Sequence, residues 1–320
     1  MAPKNRWNEH PGDLLRVDES FSLEDVVPHA SPGWRGTKRQ GKEFAKARGP
    51  LLSELQERLY AHGRAGGSRA VLLIVQGMDT SGKGGVVRHV LGMVDPQGVA
   101  LRAFGRPTPE ELRHHYLWRI RKALPEGGQI GVFDRSHYED VLVARVDGLV
   151  GPDVWEKRYE EINRFEQEVT DAGTTIVKVA LVISREEQGL RLMERLQRPD
   201  KYWKFDPSDV DARKKWDAYQ QAYADVFART STEAAPWYAV PADRKWYARL
   251  AVTELLTRAL IDLELGWPTP RWKVETQRRR LAETMDERTL AEAQGSQEAV
   301  TTKVERDERA FAAAVADATY

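Results

Sequence analysis

Cysteine is absent from the 320 residues, which excludes disulfides, thiolate metal sites and a cysteine nucleophile. No apolar run approaches the ~18 residues needed to cross a membrane. Residues 1–12 are polar without an apolar centre, so no signal peptide is expected. These absences predict a cytoplasmic protein with no membrane partner. Net charge is absent as well, since 49 Lys and Arg balance 49 Asp and Glu. That balance counts against a nucleic-acid binder, which is usually basic. What the chain does have is 41% apolar residues, ten tryptophans and 31% charged residues. This suits a folded core with a solvated surface, as one large or two small domains.

Short apolar runs at 71–75, 98–104, 129–133, 175–183 and 237–240 read as strands buried on both faces. Helix-period stretches at 84–94, 109–124, 154–172, 185–196, 210–229 and 244–265 alternate with them. Thr108, Pro109 and Glu111 give the second stretch a capping box. The alternation predicts an α/β fold with a parallel sheet and helices on both faces. Residues 1–50, rich in Gly, Pro and basic side chains, read as an N-terminal extension before a helix at 51–62. The core is expected at 51–270, and 271–320 as a charged helical tail.

The first strand runs into Gly77-Met-Asp-Thr-Ser-Gly-Lys-Gly-Gly85, and the spacing Gly77-x-x-x-x-Gly82-Lys83 is that of a phosphate-binding loop. Its glycines let backbone N–H groups turn towards a phosphate at a helix N-terminus, and Lys83 reaches the transferred phosphoryl group. Thr80 belongs to the same cradle. Gly84 stands where such loops place a metal-binding hydroxyl, so the cation needs another ligand. Asp79, inside the loop, is the candidate, since a carboxylate among phosphates requires a cation between them. The competing reading of Asp79 is a helix cap.

Asp134 closes the third strand, the position of a Walker B carboxylate, and Arg135 follows as a phosphate contact. Their alternative is a structural salt bridge. His137 reads as structural and Tyr138 as packing. Arg191 and Arg195 lie four apart on one helix face, about 110 residues beyond the loop, where a lid closes over phosphates. Lys201 and Lys204 extend that lid, expected at about 185–230.

Four motifs taken together resemble the second family of polyphosphate kinases. They are the loop above, Phe133-Asp-Arg-Ser-His-Tyr-Glu-Asp140, Pro199-Asp-Lys-Tyr-Trp-Lys204, and Thr230-Ser-Thr with Ala235-Pro-Trp and Val240-Pro-Ala-Asp-Arg-Lys-Trp246. The resemblance implies a thymidylate-kinase-like P-loop core of five parallel strands sandwiched by helices, with a helical lid. It implies a homo-oligomer, dimer or tetramer, and Mg²⁺-dependent phosphoryl transfer from inorganic polyphosphate to nucleotides, with Mn²⁺ as a substitute cation. Asp79, Lys83, Asp134, Arg135 and Arg195 match the family's catalytic positions, Asp79 and Asp134 as metal ligands.

The family's diphosphate-using class resembles Trp-Tyr-Asn after Asp-Arg-Ser. His137-Tyr138-Glu139 resembles instead the class that phosphorylates both AMP and ADP, which makes Glu139 an acceptor-site residue. Val182 replaces a frequent family histidine. The alternatives are an ATP-dependent nucleoside monophosphate kinase and a non-catalytic phosphate sensor. Charge distribution agrees with a polyanion substrate after all. Residues 31–48 carry six basic side chains and one acid, read as a basic rim or a solvated arm, while acids concentrate at 147–171.

Overall fold

The computed structural model describes residues 3–319, so Met1, Ala2 and the tail's last residue, Tyr320, lie outside the described residues. Strands β1 (Ala70–Gly77), β2 (Val99–Ala103), β3 (Ile130–Asp134), β4 (Thr174–Val182) and β5 (Trp237–Pro241) form one parallel sheet in the order β2-β3-β1-β4-β5. Each strand falls within two residues of an expected apolar run. β1 is central, flanked by β3 and β4, and its register sets Val75 beside Asp134. The loop after β1 and the acid ending β3 therefore share one edge of the sheet, the edge where open α/β sheets bind ligands.

The long helices are α1 (Lys38–Arg64), α2 (Lys83–Leu91), α3 (Pro152–Asp171), α4 (Arg185–Gln197), α5 (Ser208–Lys214), α6 (Trp216–Thr230) and α7 (Lys245–Ile261). α2 and α7 cover one sheet face, with α1 against α7, while α3 and α6 cover the other. This is the expected α/β sandwich. Its core on the second face includes Tyr138, Tyr159, Ile162, Val226, Phe227 and Trp237. Two compact units divide the chain, residues 1–265 and 266–320. The second consists of helices Val274–Ala282, Glu287–Gly295 and Gln297–Ala318.

Three elements differ from the sequence pattern. The first helix begins at Lys38, capped by Thr37 and Gln40, and runs straight through Gly49 and Pro50. A proline inside a helix removes a hydrogen bond. Here both halves bury apolar residues, Phe44 and Ala45 before it, Leu51, Leu55 and Leu59 after it. Arg48 reinforces the junction through two bonds to the Glu254 carboxylate on α7, at 2.9 and 3.1 Å. Ahead of α1, Val17 N–H donates to the Trp237 carbonyl and Ala239 N–H to the Leu15 carbonyl, so this segment pairs with the free edge of β5.

The Thr108–Glu111 capping box forms with both reciprocal bonds, yet it heads a single turn at Glu111–Arg113. The chain leaves the helix there and buries Leu117 and Ile120 against Phe104 and Phe133, with Leu112 left exposed. The third difference is a break at Lys215, which splits the stretch at 210–229 into α5 and α6.

Candidate active site

The loop from β1 to α2 is built on backbone that few side chains tolerate. Gly77 has φ of +147°, and a Cβ there would meet Ser81 Oγ at 2.7 Å and the Leu181 carbonyl at 2.8 Å. Gly82, at φ +112°, is the residue before α2 and leaves that helix's first N–H groups facing outward. Thr80 and Arg135 are left-handed without being glycine, at φ +62° and +63°. Such conformations cluster where function requires them.

A cleft of about 810 Å³ opens at this edge. Asp79, Thr80, Gly82, Lys83, Gly84, Asp134, Arg135, Arg191, Arg195, Lys201 and Lys204 all line it, so the structure gathers these candidates into one place. Gly77 sits beneath the loop, and its carbonyl accepts from Lys83 Nζ at 2.6 Å. Glu139 lies behind Arg135 and Lys83, close enough to act on the charge of both. None of the basic residues at 31–48 lines the cleft. Arg48 is instead buried against Glu254.

The lining carries ten basic side chains against five acidic ones. Arg88, Arg198 and Arg249 belong to it without lying in any of the four motifs, and Lys245 comes from the last of them. Lys245 and Arg249 are four apart on α7, a spacing that marks a shared face but not what the face meets. The cations crowd one another. Burial, then Lys201, Arg88 and Arg195, pulls the Lys204 ammonium below its ordinary range. An anion entering the cleft relieves that repulsion.

The carboxylates are arranged differently. Asp79 Oδ1 accepts from Arg135 at 2.9 Å. Asp134 makes no side-chain hydrogen bond or ion pair among the described residues, and a Cβ built at Gly84 would lie 3.8 Å from its Oδ2. The acid thus faces the position where a metal-binding hydroxyl is otherwise found. Burial lowers the Lys83 ammonium, partly opposed by Asp79. Burial also pushes the Glu139 carboxyl up, against the pull of Arg135, Lys83 and the Gln76 amide.

The two lid arginines do not act alike. Arg191 is buried, and its guanidinium is saturated. Nε donates to Glu187 at 2.7 Å, Nη1 to the carbonyls of Thr80 and Ser81, and Nη2 to those of Ala242 and Asp243. No N–H remains for a phosphate, so Arg191 staples the loop to the lid helix and to the end of β5. Arg195 spends only Nη1, on the Lys204 carbonyl at 2.8 Å and on Asp209 Oδ2 at 3.2 Å. The spacing of four reported a common face and could not reveal five carbonyl and carboxylate acceptors converging on one member. His137 and Tyr138 point away from the cleft, into the core, where both contact Glu166.

A profile of the polyphosphate kinase 2 family matches residues 37–264. The chain belongs to that family. Similar to it is an AMP/ADP-polyphosphate phosphotransferase from Meiothermus ruber, 44% identical over 80% of this chain and 94% of the relative. An ADP-polyphosphate phosphotransferase from Rhodopseudomonas palustris is 42% identical over 72% of this chain and 83% of its own length. Among solved structures, the polyphosphate kinase 2 of Arthrobacter aurescens TC1 aligns with a TM-score of 0.86 at 49% identity, covering 88% of this chain and all of that one. The family's P-loop kinase-like sheet is therefore the fold of this chain. Among the described residues no helix is long and apolar enough to cross a membrane.

Proposed function

We propose that this protein transfers the terminal phosphoryl group of inorganic polyphosphate to AMP and to ADP. The observation that carries the reading is the cleft itself, where an unpartnered carboxylate, Asp134, faces a phosphate-binding loop inside a lining of excess positive charge. A phosphate oxygen of the nucleotide attacks the terminal phosphorus, and the bond to the next bridging oxygen breaks. The shortened polyphosphate leaves with that electron pair. The attacking oxygen is already ionised, so no strong base is needed.

The loop N–H groups and the start of α2 hold the phosphates. Lys83 turns its ammonium from the Gly77 and Met78 carbonyls, where it donates at 2.6 and 3.3 Å, to the transferring group. Arg195 offers its Nε and Nη2 donors to the charge that spreads over the equatorial oxygens. The outer cations, Arg88, Arg198, Lys201, Lys204, Lys245 and Arg249, track the polyphosphate chain.

The donor set suits a hard divalent cation. Among the described residues no three His, Cys, Asp or Glu converge on a metal position, so protein ligands come from Asp79 and Asp134 and the rest from phosphate and water. Bound there, Mg²⁺, or Mn²⁺ in its place, would neutralise charge on the reacting phosphates. Glu139 favours the AMP-accepting class, since a carboxylate beside Arg135 can hold a cation or water in the gap that a monophosphate leaves. A homo-oligomer in the cytoplasm completes the reading.

The assay is direct. Purified protein with Mg²⁺, polyphosphate and AMP is expected to yield ADP and then ATP. Product with ATP as donor but none with polyphosphate would overturn the donor. Use of ADP alone would overturn the role of Glu139.

A further inference from the structure

Asp209 is a buried carboxylate that neither the loop nor the metal position uses. It stands in the first turn of α5, nine-tenths covered, and lines the cleft beside the lid arginine. Its Oδ2 accepts from Arg195 Nη1 at 3.2 Å and from the Asp206 N–H at 3.5 Å. The second hydrogen on Nη1 goes to the Lys204 carbonyl at 2.8 Å. Both anchors therefore grip one end of the guanidinium plane. Nε and Nη2 make no hydrogen bond among the described residues, so three of the five N–H groups of this cleft-lining side chain have no protein acceptor.

Burial, together with the Asp79 carboxylate across the cleft, works against a charged Asp209, while Arg195 favours it. A residue that costs stability where it stands is a candidate for function rather than for packing. A guanidinium on a solvated helix surface otherwise samples many rotamers, and fixing it beforehand removes that entropy from the barrier.

We propose that Asp209 is a positioning residue, which holds Arg195 by one end so that the other end meets the transferring phosphoryl group. The proposal rests on the polyphosphate-dependent activity above, and applies to whichever nucleotide accepts. Asp209 itself does not touch substrate. Its contribution passes through one side chain, which makes it testable by a double-mutant cycle.

Steady-state kinetics with polyphosphate and Mg²⁺ would be measured for wild type, Asp209→Ala, Asp209→Asn, Arg195→Ala and the Asp209→Ala/Arg195→Ala pair. Asp209→Ala is expected to lower kcat roughly 10- to 30-fold with KM for both substrates nearly unchanged. Asp209→Asn keeps an oxygen acceptor and should recover most of the loss. In the Arg195→Ala background, Asp209→Ala should cost less than about twofold, because its partner is already gone. An equal loss in both backgrounds, or a change confined to KM, overturns the proposal. If the alanine variant does not fold, the same cycle run with Asp209→Leu, which fills the buried position but offers no acceptor, decides it, a loss in the wild-type background alone supporting the role. Inactivity of the wild type with polyphosphate would be a failure of the functional reading, and is visible before any variant is made.

Discussion

Residues 134–140 feed two clusters of charge on opposite sides of one turn. His137 and Tyr138 enter the core, where Lys178 Nζ lies 2.5 Å from Glu166 Oε2, 2.8 Å from the Tyr138 hydroxyl and 2.7 Å from the Thr230 carbonyl. Tyr138 donates to Glu166 Oε1 at 2.9 Å, and His137 Nε2 lies 3.2 Å from the same oxygen. Burial alone would push the Glu166 carboxyl up, but the Lys178 ammonium and the His137 contact outweigh it and hold it below its usual range. Asp134 and Arg135 belong to the other cluster, at the cleft, with Glu139 close enough to act on Arg135. There Asp134 has no side-chain partner among the described residues, and Lys201, Arg88 and Arg195 all bear on the Lys204 ammonium. Both places set carboxylates beside cations. What differs is satisfaction: the core pairs its charges internally, whereas the cleft leaves the Asp134 carboxylate and the Nε and Nη2 donors of Arg195 without a protein partner among the described residues.

The difference should show first in stability. Lys178→Met strands a buried carboxylate beside a tyrosine and a histidine, and is expected to lower the unfolding free energy by about 3–5 kcal/mol. Urea denaturation measures it. A loss under 1 kcal/mol would mean that the core cluster is no more committed to the fold than an exposed pair.

Asp134→Asn should do the converse, lowering kcat/KM by roughly 10²–10³-fold with the melting temperature held within about 2 °C. Near-normal turnover would remove its role as a cation ligand. Glu139 lies between these extremes and should give the smallest effect. Its carboxyl is raised in the folded state, so the ionised form costs stability at neutral pH, and folding is relatively favoured below the ordinary carboxylate range. Glu139→Gln should therefore gain about 1 kcal/mol at pH 8, and the gain should vanish as pH falls below about 4. Melting curves of both proteins across that range check the sign, and a wild type that is the more stable of the two at pH 8 would contradict it.

Much of this molecule could be read before its structure. Buried parallel strands announce themselves as apolar runs, and the loop glycines, Lys83, Asp79 and Asp134 are tied to fixed positions along the chain. Features that depend on convergence could not be read so. The pairing of Gly49 and Pro50 looks like a boundary, yet α1 continues because Arg48 finds Glu254 some two hundred residues away. Helical period puts Arg191 and Arg195 on one face but does not report the Thr80, Ser81, Ala242 and Asp243 carbonyls that occupy one of them. Asp209 carries no sequence signal, since its meaning comes from Arg195, fourteen residues earlier.

The Arg191 staple also bears on how a lid built this way can move. Its bonds bind the second turn of α4 to the loop and to the end of β5, while Arg213 on α5 grips the Arg185 carbonyl and the Gln188 side chain at the helix start. The root of α4 is thus clamped from two sides, and a swing of the whole helix would break these bonds at once. Among the described residues, 198–206 make no comparable hydrogen bonds to the sheet or the loop: Arg198 pairs with Asp200 and Glu194, Trp203 is exposed, and Lys204 is tied through its carbonyl to Arg195. Of the cleft wall, the stretch with Arg198, Lys201 and Lys204 is therefore the part held least to the sheet, and the α4 root the part held most.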